Sequence, residues 1–378
     1  MPDVVRCSIG DDMRRLYPVA VTLVVAGIAF VAPVRNSSTG NEHENRVVTR
    51  LTATMKTVCV GRILIDIPAE AQIEFARSNI DGFDISALYE TKTEFDERLA
   101  GRIANLTNTD AVLEKGSTLE QVEEVGGANG VTGKLIVHSR RVTEGTRARG
   151  LELERFRNEG VGIEALLHFE GVSFDFGAEY YDPDQVGNLP ALIAKLVPNP
   201  GFSVPDEPGF CIDRAYVRDP LTAEQGEQTT MFVRLPSHPE IELMLILSAG
   251  TKPDSEGLLA RSAAAESQLP FVDRMRIKKI RAAPREIAGL AGEELVRQGI
   301  EENESMISSF WWEVNGSEDN VLHPHLVLRM VKKGESASKP GSLSADAAVG
   351  LWDKISSSVR LRIPAKPLRD LEKPHGQF

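Results

Sequence analysis

From Pro198 to Phe210 the chain reads Pro-Asn-Pro-Gly-Phe-Ser-Val-Pro-Asp-Glu-Pro-Gly-Phe, with four prolines and two glycines in thirteen residues. Proline has no amide hydrogen to give to a helix or a central strand, and its ring blocks the preceding helical turn. No regular element can cross this stretch, so the 378-residue chain is expected to fold as two parts of ordinary domain size on either side of it. The expected boundaries are an N-terminal α+β domain over 56–200, a Pro/Gly-rich linker over 201–209, a C-terminal α+β domain over 210–365 and a tail over 366–378.

The two parts repeat one pattern. Each opens with a cysteine-bearing strand, Val58-Cys-Val-Gly-Arg-Ile-Leu-Ile-Asp66 in the first and Phe210-Cys-Ile-Asp-Arg-Ala-Tyr-Val217 in the second. A second strand follows at 82–90 and at 241–248, the latter with Ile241, Leu243, Leu245 and Leu247 alternating onto one face. Next comes a helix. Phe95, Leu99, Ile103 and Leu106 form one helical stripe, with Thr93 and Asp96 as an expected capping box. Its counterpart spans 256–267.

Several antiparallel strands succeed each helix. Asn129-Gly130 signals a hairpin, and Ile163, Ala165, Leu167 and Phe169 alternate inward, as do Val172, Phe174 and Phe176. The second part offers strands at 293–301, 306–314 and 326–331. A closing helix is expected at 190–197 and at 345–358, the latter with Val349, Trp352, Ile355 and Val359 at helical spacing. Strand, strand, helix, meander, helix, stated twice, reads as α+β: two similar domains, each an antiparallel sheet with flanking helices.

The segment before the first domain reads differently. Arg14 and Arg15 precede an uncharged run from Leu16 to Val34, the layout of an export signal. Residues 1–35 are therefore expected to be an export signal, with Gly27 and Ala29 before a cleavage point, or an uncleaved membrane anchor. The acidic stretch ahead of Arg14 suits a signal poorly, and a start at Met13 gives a conventional one. Residues 36–55 are polar without an apolar period and are expected to be a flexible tether. Export places the rest of the chain in the periplasm, cleaved or anchored in the inner membrane. Cys59 and Cys211 are the cysteines left there, and in an oxidising compartment such leftovers pair. Their bridge closes a loop of roughly 150 residues, worth about 4–5 kcal/mol in the chain-entropy model; two buried free thiols are the alternative.

The sequence holds few patterns that carry chemistry. There is no Gly-x-Ser-x-Gly elbow, and His43-Glu44 lacks the second histidine of a zinc-protease helix. His323-Pro-His325 has no acidic or cysteine company, so it reads as a strand end rather than a metal site. The glycines of 126–133 lack the residues of a phosphate loop and read as a hairpin turn. The acidic pairs Glu123-Glu124, Glu293-Glu294 and Glu301-Glu302 read as solvated faces, since acid–base work needs burial that splits their pKa values. With 43 Lys and Arg against 55 Asp and Glu, the net charge is −12, which repels nucleic acid and anionic headgroups. Thus no catalytic residue, cofactor or metal is expected, and no nucleic acid; a membrane enters only through an N-terminal anchor.

The strings Lys56-Thr-Val-Cys-Val-Gly-Arg-Ile-Leu-Ile-Asp-Ile-Pro68 and Gly209-Phe-Cys-Ile-Asp213 resemble immunity proteins paired with type VI secretion lipase effectors. So do Leu290-Ala-Gly-Glu-Glu-Leu295, Pro324-His-Leu-Val-Leu-Arg-Met330 and Leu351-Trp-Asp-Lys-Ile-Ser-Ser-Ser-Val-Arg-Leu361, and the similarity is to the subgroup that protects against the fourth class of those lipases. The resemblance implies two domains that grip a phospholipase effector like a claw and inhibit it in the periplasm, sparing the producing cell and its kin. Charge and aromatic character near strand ends point to Asp182, Asp184, Glu301, Glu302, Trp311 and Trp312 as effector contacts. The other reading is a periplasmic non-enzymatic binding module, a chaperone or lipid carrier, which requires an internal apolar cavity or many unrelated clients.

Overall fold

Both sides of the proline-rich stretch build the same antiparallel run of six strands. The computed structural model describes residues 46–108, 118–127, 130–150, 152–301, 305–335 and 342–362. The expected signal or anchor at 1–35 and the tail at 366–378 lie outside the described residues, as does Asn129 of the expected hairpin turn. Among the described residues, no helix is long and apolar enough to cross a membrane.

A helix, α1, covers 46–51 and leads into the N-terminal half. That half comprises β1 (Met55–Val60), β2 (Ile63–Pro68), β3 (Gln72–Phe75), β4 (Ser78–Ile80), β5 (Phe83–Tyr89) and α2 (Lys92–Thr107). It continues with β6 (Leu119–Gly126), β7 (Thr132–Arg149), β8 (Glu152–Phe169), β9 (Val172–Tyr181), α3 (Asn188–Ile193) and β10 (Leu196–Pro198). The C-terminal half comprises β11 (Gly209–Ile212), β12 (Ala215–Arg218), β13 (Glu227–Leu235), β14 (His238–Ala249), α4 (Leu258–Ser267) and α5 (Phe271–Met275). Then come β15 (Ile277–Ile287), β16 (Leu290–Ile300), β17 (Met306–Val314), β18 (His325–Glu335), α6 (Ala345–Ser356) and β19 (Arg360–Leu361).

The N-terminal strands lie in the order β4-β5-β9-β8-β7-β6 and the C-terminal ones in the order β13-β14-β18-β17-β16-β15, the same path traced twice. β13 pairs with β4 at Glu227–Ile80 and Gln228–Asn79, and with β3 from Met231–Phe75 to Arg234–Gln72. These contacts join the two runs into one 13-stranded antiparallel sheet. The architecture is α+β in two domains, antiparallel strands with flanking helices.

Local chemistry explains the elements. In β13 the alternate residues Thr229, Met231, Val233 and Leu235 are buried while Gln228, Phe232 and Arg234 are exposed, as a strand with one covered face requires. The β15–β16 turn is Ala288-Gly289, both with positive φ (49° and 82°), the backbone that a two-residue hairpin demands and that glycine adopts without strain. α2 is capped by Thr91 with Glu94 reciprocating, two positions before the expected Thr93–Asp96 box. Thr91 already has extended backbone (φ −71°, ψ 161°) and its hydroxyl accepts from the Glu94 amide, so the helix begins there.

Other expectations are corrected. Each opening strand is a hairpin: β1 turns at Gly61-Arg62 into β2, and β11 turns at Asp213-Arg214 into β12. The tether expected over 36–55 does not reach residue 55, because 46–51 are helical and Val48 packs into the core against Gly350 of α6. The helix expected at 190–197 covers Asn188–Ile193, and the residues after it become β10.

The halves exchange their last strands. β10, closing the N-terminal half, pairs with β12 of the C-terminal hairpin, and β19, closing the C-terminal half, pairs with β2 of the N-terminal hairpin. Between the hairpins, Gly61 and Cys211 exchange backbone hydrogen bonds of 2.8 and 2.9 Å, and Cys59 is disulfide-bonded to Cys211 with a Cα–Cα distance of 5.8 Å. Each cysteine sits two residues before its hairpin turn, so the bridge joins equivalent positions of the repeat. A single apolar core runs beneath the sheet and these hairpins, with α6 seated in it through Leu351, Trp352 and Ile355.

Candidate interaction surface

A binding surface has to be sheet face, strand tip or loop that the fold leaves uncovered, and the two halves differ in what they leave. In the N-terminal half the 16-residue α2 lies across the outer face of the sheet. Phe95, Leu99 and Leu106 bury against Ile136 and Leu166. Arg98 reaches both Glu90 (2.6 Å) and Asp175 (2.8 Å), and Arg102 reaches Glu164 (2.8 Å). These ties hold the Glu90 and Glu164 carboxyls below their ordinary range: burial alone pushes each up, but the hydrogen bonds and charges of Arg98 on one, and of His138 and Arg102 on the other, outweigh it.

In the C-terminal half the corresponding helix α4 has ten residues and buries Leu258. Glu293 accepts from the Leu259 amide at 2.8 Å near the start of that helix, and Arg261 reaches Glu313 at 2.5 Å. Past α4 the outer face is open. Cross-strand register aligns Leu295, Trp311, Arg329, Met244 and Phe232 in one row, and Arg297, Ser309, Val331, Glu242 and Arg234 in the next. Among these residues a groove of about 370 Å³ opens, lined by Phe232, Arg234, Glu242, Met244, Arg329 and Val331 with the backbone neighbours Val233 and Leu243.

The groove is unusual in charge. Arg329 stacks on the Trp311 ring at 5.5 Å, and both its Nε and the Trp311 Nε1 are shielded from water without a hydrogen-bond partner. Arg297 is half-buried, and burial together with the neighbouring Arg329 charge lowers its pKa. Glu266, the acidic group that opposes this shift, is itself paired with Lys279 at 2.7 Å. Glu242, the carboxylate in the groove wall, is paired with Lys333 at 2.5 Å.

Two projections flank these faces. β7 and β8 remain paired from Arg141–Gly160 out to Arg149–Glu152, beyond the reach of β6 and β9, as a two-stranded arm of alternating charge. At the far edge of the C-terminal half, Phe271, Val272 and Met275 of α5 stand exposed beside Ile300 and Met306 at the β16–β17 tip. Such clustering of large apolar side chains on a surface marks an interaction site rather than a scattered one.

The residues expected as contacts separate on this geometry. Asp182 and Asp184 are exposed beside the β8–β9 end, where the Asp182 carboxylate accepts from the Asp184 amide at 2.9 Å. Glu301 is exposed at the β16–β17 tip and accepts from the Ser305 hydroxyl at 2.6 Å. Glu302 lies outside the described residues. Trp311 is half-buried at the groove margin. Trp312 is corrected: it is 0% exposed on the opposite face of β17, its indole donates to the Arg285 carbonyl at 2.9 Å, and Gly292 supplies the space beneath it. Glu293 and Glu294 also depart from the solvated face expected of them. Glu294 is buried between Arg281 and Arg285 and accepts from the Trp352 indole at 2.7 Å, which fixes α6 to the sheet.

Sequence reasoning missed the groove, with Arg297, Arg329, Met244 and Phe232, and it missed Arg62. The Arg62 side chain forks to Glu227 (2.9 and 2.6 Å) and Asp219 (3.0 and 2.8 Å) at the seam between the halves. Burial by itself lowers the Arg62 pKa, but these hydrogen bonds and charges raise it well above the ordinary guanidinium value. The one signal available was positional, an arginine in the same turn of both repeats. No group of three or more His, Cys, Asp or Glu residues able to hold a metal occurs among the described residues.

Comparison with known proteins places this geometry. The model of the Tle cognate immunity protein 4 N-terminal domain matches residues 56–151, and that of the C-terminal domain of the same family matches residues 203–364. The chain belongs to the Tle cognate immunity protein 4 family. The first match of this immunity family ends at the tip of the β7–β8 arm, and the second takes in the groove and the apolar edge. A chain of the Tle4–Tli4 complex is similar at a TM-score of 0.64 and 23% identity, covering 82% of this chain and 98% of that one. Immunity protein TplEi of the T6SS from Pseudomonas aeruginosa is similar without ligand (TM-score 0.63, 23% identity, 82% and 97% covered) and complexed with "L" peptide (0.62, 22%, 82% and 98%). Among the curated proteins none matches.

Proposed function

We propose that this chain is an immunity protein that binds a type VI secretion lipase effector and inhibits it by occlusion, so that the producing cell and its kin survive their own toxin. The observation that carries the reading is the pair of family matches, one in each half of the duplicated fold and in the order of the family. Its physical side is the supply of uncovered surface: an open sheet face with a groove, an apolar edge and a charged arm, set on a cross-linked scaffold. A blocking protein needs complementary surface rather than a nucleophile, and stable complexes of this sort bury roughly 1,200–2,000 Å² or more.

The domains are 56–200 and 210–365, and they stand as the two arms of a claw on either side of the seam that β13 forms with β4 and β3. Asp182, Asp184, Glu301 and Trp311 contribute to the grip. Protection takes place in the periplasm, reached through an N-terminal signal or anchor; a cysteine pair suits that oxidising compartment.

Co-expression decides the matter. A cognate lipase effector of the type VI secretion class is exported to the periplasm of a host with and without the chain, and survival and phospholipase activity are recorded. Survival that depends on the chain, with a stable complex of the two proteins, is the expected result. Killing that continues despite confirmed export and folding refutes it.

A further inference from the structure

The groove on the outer face of the C-terminal half has a chemistry opposite to that of the molecule around it. The chain carries a net charge of −12, yet the free charges at this place are cationic. Arg329 lines the groove, and Arg297 stands in the adjoining row, two rungs of the sheet from the groove floor. Among the described residues neither has a carboxylate at ion-pair distance, since the acidic neighbours Glu242 and Glu266 are engaged by Lys333 and Lys279. Arg329 and Arg297 are both partly buried, and the charge of Arg329 acts on Arg297, so each has lost part of its hydration at a cost that an incoming anion would offset. Trp311 fixes Arg329 by stacking, so the fork is already oriented. The remaining wall is apolar, with Met244, Val331 and a Phe232 side chain that is 38% exposed.

We infer that this groove receives a segment of the effector in which an Asp or Glu side chain is flanked by apolar residues. The carboxylate lies between Arg329 and Arg297, and the flanking side chain fills the space beside Phe232 and Met244. A carboxylate matches the guanidinium fork in plane and spacing, and burying it there removes the repulsion between the two arginines. A volume of about 370 Å³ suits one or two side chains. The inference rests on the reading of the chain as an effector-binding protein, and it singles out an acidic anchor rather than the basic partner that the overall charge invites.

The test is titration calorimetry of the purified effector against the full exported chain and its variants, at fixed ionic strength. The variants are Arg297→Glu with Arg329→Glu, and separately Phe232→Glu, which removes no ion pair and guards against misfolding of the first; unchanged thermal unfolding certifies each. The double reversal is expected to weaken the complex at least about thirtyfold, the usual effect of reversing a desolvated charge contact, and Phe232→Glu to weaken it by a similar factor. Changing the matching acidic residue of the effector to Lys is expected to restore binding to the Arg297→Glu/Arg329→Glu protein. If the unaltered chain fails to bind the effector, the effector reading itself falls. If it binds and both variants retain its affinity, the groove assignment alone falls. A free chain that doubles in mass on sedimentation, and becomes monomeric in the double reversal, also overturns it by placing a second copy in the groove.

Discussion

The two halves of this molecule share a strand path but not a surface. In the N-terminal half the 16-residue α2 closes the outer face, with Phe95 and Leu99 in an apolar layer and Arg98 and Arg102 tied to sheet carboxylates. In the C-terminal half a ten-residue α4 covers only the β16 side, and Trp311, Arg329, Met244 and Phe232 are left to the groove. The strands alternate in both, so each half has an inner face committed to the core and an outer face that is free to vary. Helix length decides which outer faces stay open. The N-terminal half projects instead through its β7–β8 arm, whose C-terminal counterpart, β16–β17, stops at Ile300–Met306. A duplicated scaffold can therefore carry two different surfaces without changing its topology.

The strongest way to break the comparison is at the position where the halves look most alike. Arg62 and Arg214 occupy the same turn of the two hairpins, but their surroundings differ. Arg62 is 5% exposed and holds the buried Glu227 together with Asp219, whereas Arg214 pairs with its neighbour Asp213 and lies over the Tyr89 ring at 4.1 Å. Arg62→Ala strands a carboxylate inside the seam and is expected to cost about 3–5 kcal/mol in urea unfolding. Arg214→Ala, at a partly exposed site, is expected to cost about 1 kcal/mol or less. Equal losses would mean that the hairpins are interchangeable and that the seam has no special hub.

A second test separates two adjacent residues. Trp312→Ala removes a ring that is buried and packed over Gly292, and is expected to cost about 3–5 kcal/mol of stability. Trp311→Ala opens no comparable core cavity, so it is expected to cost about 1 kcal/mol of stability, while weakening effector binding because Arg329 loses its support. Loss of binding without loss of stability at 311, and the reverse at 312, is the signature. If Trp311→Ala destabilises as much as Trp312→Ala, the outer face is core and the groove is a packing defect.

The same pair shows what could be read from sequence. Opposite orientation of adjacent strand residues follows from the two-residue period, and the inner rows of β14, β8 and β9 were legible for that reason, whereas β13 went unread. Which of the two tryptophans faces the core depends on where α6 packs, and the spacing within β17 carries no trace of it. Glu294 looked solvated because it sits in a polar string, yet Arg281 and Arg285 come from the strand beside it and Trp352 from a helix far along the chain. The exchange of β10 and β19 between halves was invisible, since each is a few residues long and pairs outside its own repeat. Cys59 and Cys211 could be matched because only two cysteines remained, whereas arginines are too common for Arg297 and Arg329 to be paired by elimination.

The smallest effect expected is on acid stability, and it bears on how the two outer helices are held. Glu164 beneath α2 and Glu313 beneath α4 both titrate below their ordinary value of 4.5: burial raises each, but His138 and Arg102 for the first, and His325 and Arg261 for the second, prevail. A folded pKa below the unfolded one means that the ionised form favours the folded state. That contribution is complete above about pH 4.5 and is lost as the pH falls through the folded values. Glu90 adds a second such carboxylate under α2, while Asp175, which burial pushes up, works in the opposite sense there. Each carboxylate contributes about 1 kcal/mol or less, so the loss on acidification is gradual. In hydrogen exchange between about pH 5 and 3, α2 and α4 are both expected to lose protection, and Glu164→Gln to flatten the pH dependence of α2 alone. Should Glu164→Gln change α4 as much as α2, the two outer faces are coupled through the sheet, and the independence that lets one half stay closed while the other presents its groove does not hold.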